Sequence, residues 1–252
     1  MYTKILGLAL LACIALTSCD PSDVIPDTDD PTPTPENNNT QTPSFASGDG
    51  AIVALNTRTV TSTPLGNTTV DLGTAVAVFG DLASGTYNDA GSVTLNGKAL
   101  TKTSNNAYSY IPSATDITGI SFEDNIKWEV GTPSFTYDAK TQGRGMPVAN
   151  GDFTFSGSTV SGSDAFTLEL SGSISNADSV YFQINGPNNY ILKRMGGQAT
   201  SVTFSASEME SLGTSAGCSV TIAPWNYESK DLGGKTIHVV NELAINKVIE
   251  IN

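Results

Sequence analysis

Short runs in which every second residue is apolar recur from residue 48 to the end of the chain. Phe166, Leu168 and Leu170 fall on one side of such a run, and Thr167, Glu169 and Ser171 fall on the other. Val180, Phe182 and Ile184 repeat the pattern. A period of two is that of a strand with one face buried and the other in water. Charged residues are only 15% of the 252, too few to clothe long surface helices, while Gly, Ser, Thr and Asn are plentiful. The expected fold class is therefore all-β.

The runs fall into two groups. Ala51–Leu55, Thr74–Phe79, Ser92–Leu95, Ala107–Ile111, Ile117–Phe122, Ile126–Val130 and Ser134–Tyr137 make the first. Asn96-Gly97 is its clearest turn, because this dipeptide accepts the positive φ of a two-residue hairpin. Alternation places Trp128 on an apolar face, as a core residue. The stretch 139–150, with Gly143-Arg144-Gly145-Met146-Pro147, breaks the period and has the composition of a connector. The second group adds Tyr190–Met195, Val202–Phe204, Cys218–Ile222, Lys235–Val240 and Lys247–Ile251. One helical turn is expected at Ser207-Glu208-Met209-Glu210, with Ser207 and Glu210 as a capping box. The expected organisation is a β-sandwich over 48–138, a connector over 139–150 and a second sandwich over 151–252.

From Val220 to Asn226 the chain resembles the late strand and following loop of fibronectin type III or immunoglobulin-like modules. That resemblance implies tandem immunoglobulin-like or fibronectin type III-like sandwiches, and a fold of this kind carries no function by itself.

Lys4 precedes an apolar run, Ile5 to Leu16, that falls short of the roughly 20 residues needed to span a bilayer. It reads as a signal-peptide core over residues 1–18. Leu16-Thr17-Ser18-Cys19 follows directly and resembles the lipobox of bacterial lipoproteins. The resemblance implies a diacylglycerol on the Cys19 thiol and an acyl chain such as palmitate on its amino group, which together anchor far better than one chain. Residues 19–47 are rich in Pro, Thr and Asp and have no Lys or Arg, so they are expected to be a disordered linker. The acidic residues after Cys19 resemble the leader of surface lipoproteins in Bacteroidetes-type bacteria. This implies an outer-membrane address, at the cell surface or on the periplasmic face.

The net charge of -13 opposes capture of nucleic acid or of anionic lipid head groups, so membrane contact has to come from the lipid anchor. With Cys13 in the leader and Cys19 acylated, Cys218 stands alone, and the mature chain has no intramolecular disulfide. Cys218 is expected to be an inert core thiol.

Catalytic motifs are sparse. Gly213-Thr214-Ser215-Ala216-Gly217 fits G-x-S-x-G, and Asp231 and His238 follow in the order of an α/β-hydrolase triad. However, a helical turn precedes Ser215 and a strand follows it, the reverse of a nucleophile elbow. The single histidine, His238, reads as a solvent-facing strand residue. Together with one thiol it cannot make a zinc site. Glu123-Asp124 and Asp27-Thr28-Asp29-Asp30 lack the spacing of a calcium loop, and Gly143-Arg144-Gly145 lacks the third glycine of a dinucleotide loop. No cofactor, metal or enzymatic activity is expected. Asp178-Ser179-Val180 resembles the short O-glycosylation signal of Bacteroidetes. Trp225 and Tyr227, in a Pro/Asn segment read as a loop, are the candidates for binding an extracellular protein or glycan, although aromatics more often close the end of a sandwich. The expected role is a non-catalytic, surface-displayed lipoprotein with a binding or spacer function. The alternatives are a fimbrillin-like structural subunit or a glycan-binding component of an outer-membrane uptake system. The sequence leaves the oligomeric state open.

Overall fold

A computed structural model describes residues 47–252 apart from 64, 65, 124 and 156. The apolar leader, Cys19 and the linker up to residue 46 lie outside the described residues. Strands dominate. In order they are β1 (Gly50–Thr63), β2 (Gly66–Asp81), β3 (Thr86–Tyr87), β4 (Val93–Leu95), β5 (Lys98–Ala99), β6 (Thr101–Lys102), β7 (Tyr108–Tyr110), β8 (Lys127–Val130) and β9 (Phe135–Asp138). The helical turn α1 (Ala139–Gln142) follows, then β10 (Val148–Ala149), β11 (Thr159–Val160), β12 (Phe166–Glu169), β13 (Ile174–Ser175), β14 (Ser179–Asn185), β15 (Tyr190–Gly196) and β16 (Ser201–Phe204). After α2 (Ala206–Leu212), the chain ends in β17 (Ser215–Leu232) and β18 (Lys235–Ile251).

The backbone of the fold is one long sheet with strand order β15-β14-β17-β18-β1-β2-β7-β6, to which β3 and β11 add short pieces. β1 and β18 pair in parallel from Gly50↔Ile237 to Val60↔Lys247, and β1–β2, β17–β18 and β14–β17 are antiparallel. Gly233 and Gly234, with φ of 62° and 70°, close the β17–β18 hairpin in the left-handed conformation that such a two-residue turn requires. A four-stranded sheet, β5-β4-β8-β9, and the pairs β12–β16 and β10–β13 supply the remaining strands. Asn96 and Gly97 have positive φ and join β4 to β5, as the sequence predicts.

Two apolar cores result. In the first, Ile52, Ala77 and Phe79 of the long sheet meet Leu95, Trp128 and Tyr137 of the four-stranded sheet. In the second, Phe182, Ile184 and Ile222 meet Leu168 and Phe204 of β12 and β16, and Met209 of α2. The same strands serve both. β1 gives Ile52 and Ala54 to the first core and Val60 to the second, while β18 gives Ile237 and Val239 to the first and Leu243, Ile245 and Ile249 to the second. The expected connector at 139–150 therefore does not mark the end of a sheet, because strands drawn from both ends of the chain run past it on either side.

What separates the cores is a buried polar pair. Asn226 and Asn241 face each other across β17 and β18, and both are fully buried. The Asn241 amide donates to Asn226 Oδ1 at 2.9 Å and to the Arg144 carbonyl at 3.0 Å. The Asn226 amide donates to the Gly145 and Asn176 carbonyls at 2.8 Å each. Buried N–H donors need acceptors, and the Arg144 and Gly145 carbonyls of the connector supply two of the four, which pins it to the middle of the long hairpin, while Asn241 Oδ1 has no partner. Arg144 reinforces this: its guanidinium meets Asp178 at 2.6 Å, and its backbone N–H donates to Glu228 at 2.7 Å.

Three further local expectations change. The Pro/Asn segment around Trp225 is the middle of β17. No register is lost between Ile222↔Ile245 and Trp225↔Glu242, although Pro224 brings no N–H to the ladder. The capping box sits two residues earlier, with Ser205 accepting from the Glu208 N–H and Glu208 accepting from the Ser205 N–H, because the helix begins at Ala206. Ile117–Phe122 is not a strand. Gly119 adopts a φ of 70°, and only an isolated bridge to Gly73 remains.

Candidate functional site

The residues singled out from the sequence do not converge. Trp225 is 2% exposed, and its ring stacks on Tyr181 at 5.9 Å between centroids. Tyr227, half-buried, stacks on His238, and its hydroxyl lies 2.7 Å from His238 Nδ1. His238 is buried rather than solvent-facing. Its Nε2 lies 2.7 Å from the Ser47 carbonyl, an acceptor only, so Nε2 donates that bond. Both aromatics thus pack one face of the long sheet.

The hydrolase-like triad is spread along the hairpin. Ser215 pairs with Ile251 at one end of β17–β18, and His238 pairs with Ser229 towards the other. At about 3.3 Å per residue, roughly 45 Å of strand lies between Ser215 and Ser229. Cys218 is buried, as expected, and burial pushes its thiol pKa up. Ser179 is fully buried, so the Asp178-Ser179-Val180 signal is closed to a glycosylating enzyme in the folded chain. Among the described residues no group of three His, Cys, Asp or Glu side chains could hold a metal ion, and no helix is long and apolar enough to cross a membrane.

Two features had no sequence signal. The first is a row across β14, β17 and β18, where Ser179 pairs with Trp225 and Trp225 with Glu242. Each of the three holds a buried polar atom with no hydrogen-bond partner: Ser179 Oγ, Trp225 Nε1 and Glu242 Oε1. Their surroundings are apolar, with Leu55, Tyr181, Ala223 and Ala244 clustered about Trp225. Desolvation of the Glu242 carboxyl raises its pKa from 4.5 to about 7.

The second is a cleft of about 820 Å³ at the waist between the two cores. β1 and β2 make its floor with Asn56, Arg58, Thr69 and Asp71, and Arg58 Nε lies 3.0 Å from Asp71 Oδ1. The 117–123 loop brings Ile117 and Phe122 to one side, and the 146–150 connector brings Met146 and Val148 to the other. Gly73 makes the close fit possible. Its N–H donates to the Thr118 carbonyl at 2.9 Å and its carbonyl accepts from Ile120 at 3.1 Å, and a Cβ at this position would collide with the Ile120 carbonyl. Ligand sites commonly form at such junctions between packed units, with mostly apolar walls and a few oriented polar groups. No protein-family model matches the chain, and no curated protein matches it.

Proposed function

We propose that this chain is a non-catalytic lipoprotein of the bacterial cell envelope. In this reading it is anchored in the outer membrane through acylated Cys19 and displays immunoglobulin-like or fibronectin type III-like β-sandwich halves for adhesion or surface interaction with a protein or glycan. The observation that carries the reading is Leu16-Thr17-Ser18-Cys19 placed at the end of an apolar run too short to span a bilayer. The all-β architecture that begins at Gly50 supports it, because a rigid strand scaffold suits display. The wide separation of Ser215 from His238 removes the one catalytic constellation that the sequence suggests.

The test is metabolic labelling of the native host with an alkyne fatty acid. Wild type should carry the label and partition into detergent, and Cys19→Ala should lose both properties. A native protein whose mass shows an unmodified Cys19 thiol overturns the proposal.

A further inference from the structure

We propose that the waist cleft binds an extended polypeptide segment of a partner protein, which adds as a strand to the open edge of β2. The inference names the partner for the display reading but does not depend on the anchor.

The open edge follows from strand parity. Gly73 directs its N–H and carbonyl away from β1, towards Thr118 and Ile120. In an antiparallel ladder these directions alternate, so Asp71 and Thr69 point their backbone groups the same way, while Leu72, Val70 and Thr68 bond to β1. β7 pairs with β2 only from Ala75 to Ala77, and β3 pairs only at Gly80 and Asp81. Past the Gly73↔Gly119 bridge, no described strand meets Thr69 or Asp71. Two N–H donors and two carbonyl acceptors therefore point outward from the β2 edge at residues that line the cleft, in the spacing that an extended backbone complements and that a sugar or small anion does not.

The walls point the same way. Ile117 and Val148 are 71% and 47% exposed, and they line this cleft from its two sides. Large apolar side chains gathered around one concavity mark an interaction surface, whereas the same residues scattered singly would not. Asp71 and Glu123 are the carboxylates of the cleft, and Arg58 neutralises only Asp71. The favoured partner segment is extended, carries apolar residues at alternate positions, and includes a lysine or arginine to meet Glu123. Bare edges also invite non-specific pairing, and the exposed Arg58–Asp71 pair beside this one would limit that.

The test pans a displayed random heptapeptide library against the purified full chain, then measures the selected peptides in solution. Wild type should retain alternating apolar and basic sequences, and their addition should slow amide exchange at Thr69 and Asp71 at least tenfold. Thr69→Pro removes one outward N–H without touching the β1 ladder, so it should leave the melting temperature nearly unchanged and weaken the selected peptides at least tenfold. Should that variant fail to fold, the exchange measurement on wild type decides alone. The proposal is overturned if the library yields no binder, if the peptides bind Thr69→Pro as tightly as wild type, or if they bind without protecting these two amides. Because the full chain is tested away from the membrane, a negative result here leaves the Cys19 labelling result standing, and the converse also holds.

Discussion

Glu242→Gln should become more stable than the wild type as the pH is raised, with the advantage growing by about 3 kcal/mol between pH 4.5 and pH 8. Glu242 is buried, its Oε1 has no partner, and its pKa rises to about 7 in the fold against 4.5 ordinarily. The sign follows from proton uptake. Between those two values the unfolded chain has an ionised glutamate and the folded chain a protonated one, so folding binds a proton. The associated stability is fully present below pH 4.5 and is lost as the pH rises through 7. Glutamine has the same shape and cannot ionise, and every other titrating group is common to both proteins, so their difference isolates this side chain. In thermal melts the gap should widen by about 6–12 °C over that range, at roughly 2–4 °C per kcal/mol for a chain of this size. A gap that stays constant with pH would mean that the Glu242 carboxylate is solvated in the fold.

Trp128→Ala should cost about 3–5 kcal/mol, the usual range for emptying a large aromatic site in a packed core. Trp128 is fully buried on β8, opposite Phe79 and Ile52 of the long sheet in the first core. The substitution also simplifies the readout. The chain has 2 tryptophans, so Trp225 becomes the only one left. Trp225 lies on β17, on the far face of the sheet, in a cluster with Tyr181 and Ala244. If β1 and β18 bind the two cores into one cooperative unit, Trp225 fluorescence and far-ultraviolet circular dichroism should fall together at the same lowered temperature. Trp225 melting at the wild-type temperature while part of the dichroism is lost earlier would show two independently folding halves.

Much of the local structure is legible in the sequence, because strand alternation and turn chemistry are short-range. Asn96-Gly97 marks its hairpin, Trp128 and Cys218 fall in the core, and Phe182 and Ile184 line the face that their spacing assigns. The errors share a cause. Pro224 and Asn226 look like loop residues, yet β17 carries both, since its partners β14 and β18 hold the strand straight through the proline. His238 looks exposed because its neighbours Ile237 and Val239 are apolar and face the other way, but the sheet is buried on both faces at this point. Nothing local foretells that Asn241 will find Asn226 and the Arg144 carbonyl, the latter 97 residues away in sequence. The waist cleft escaped notice for the same reason. Its residues come from 56–73, 117–123, 146–150 and Leu243 of β18, segments far apart in sequence that meet only in the folded chain.

The central structural claim is that both cores depend on strands threading from one to the other, and separating the halves tests it most directly. A piece spanning 47–142 keeps β1 and β2 but lacks β18, and with it Ile237 and Val239 of its core as well as the parallel partner of β1. Amide proton spectra of that piece alone should be collapsed and should become dispersed only when residues 143–252 are added. A dispersed spectrum and a sharp unfolding transition from the isolated piece would contradict the account.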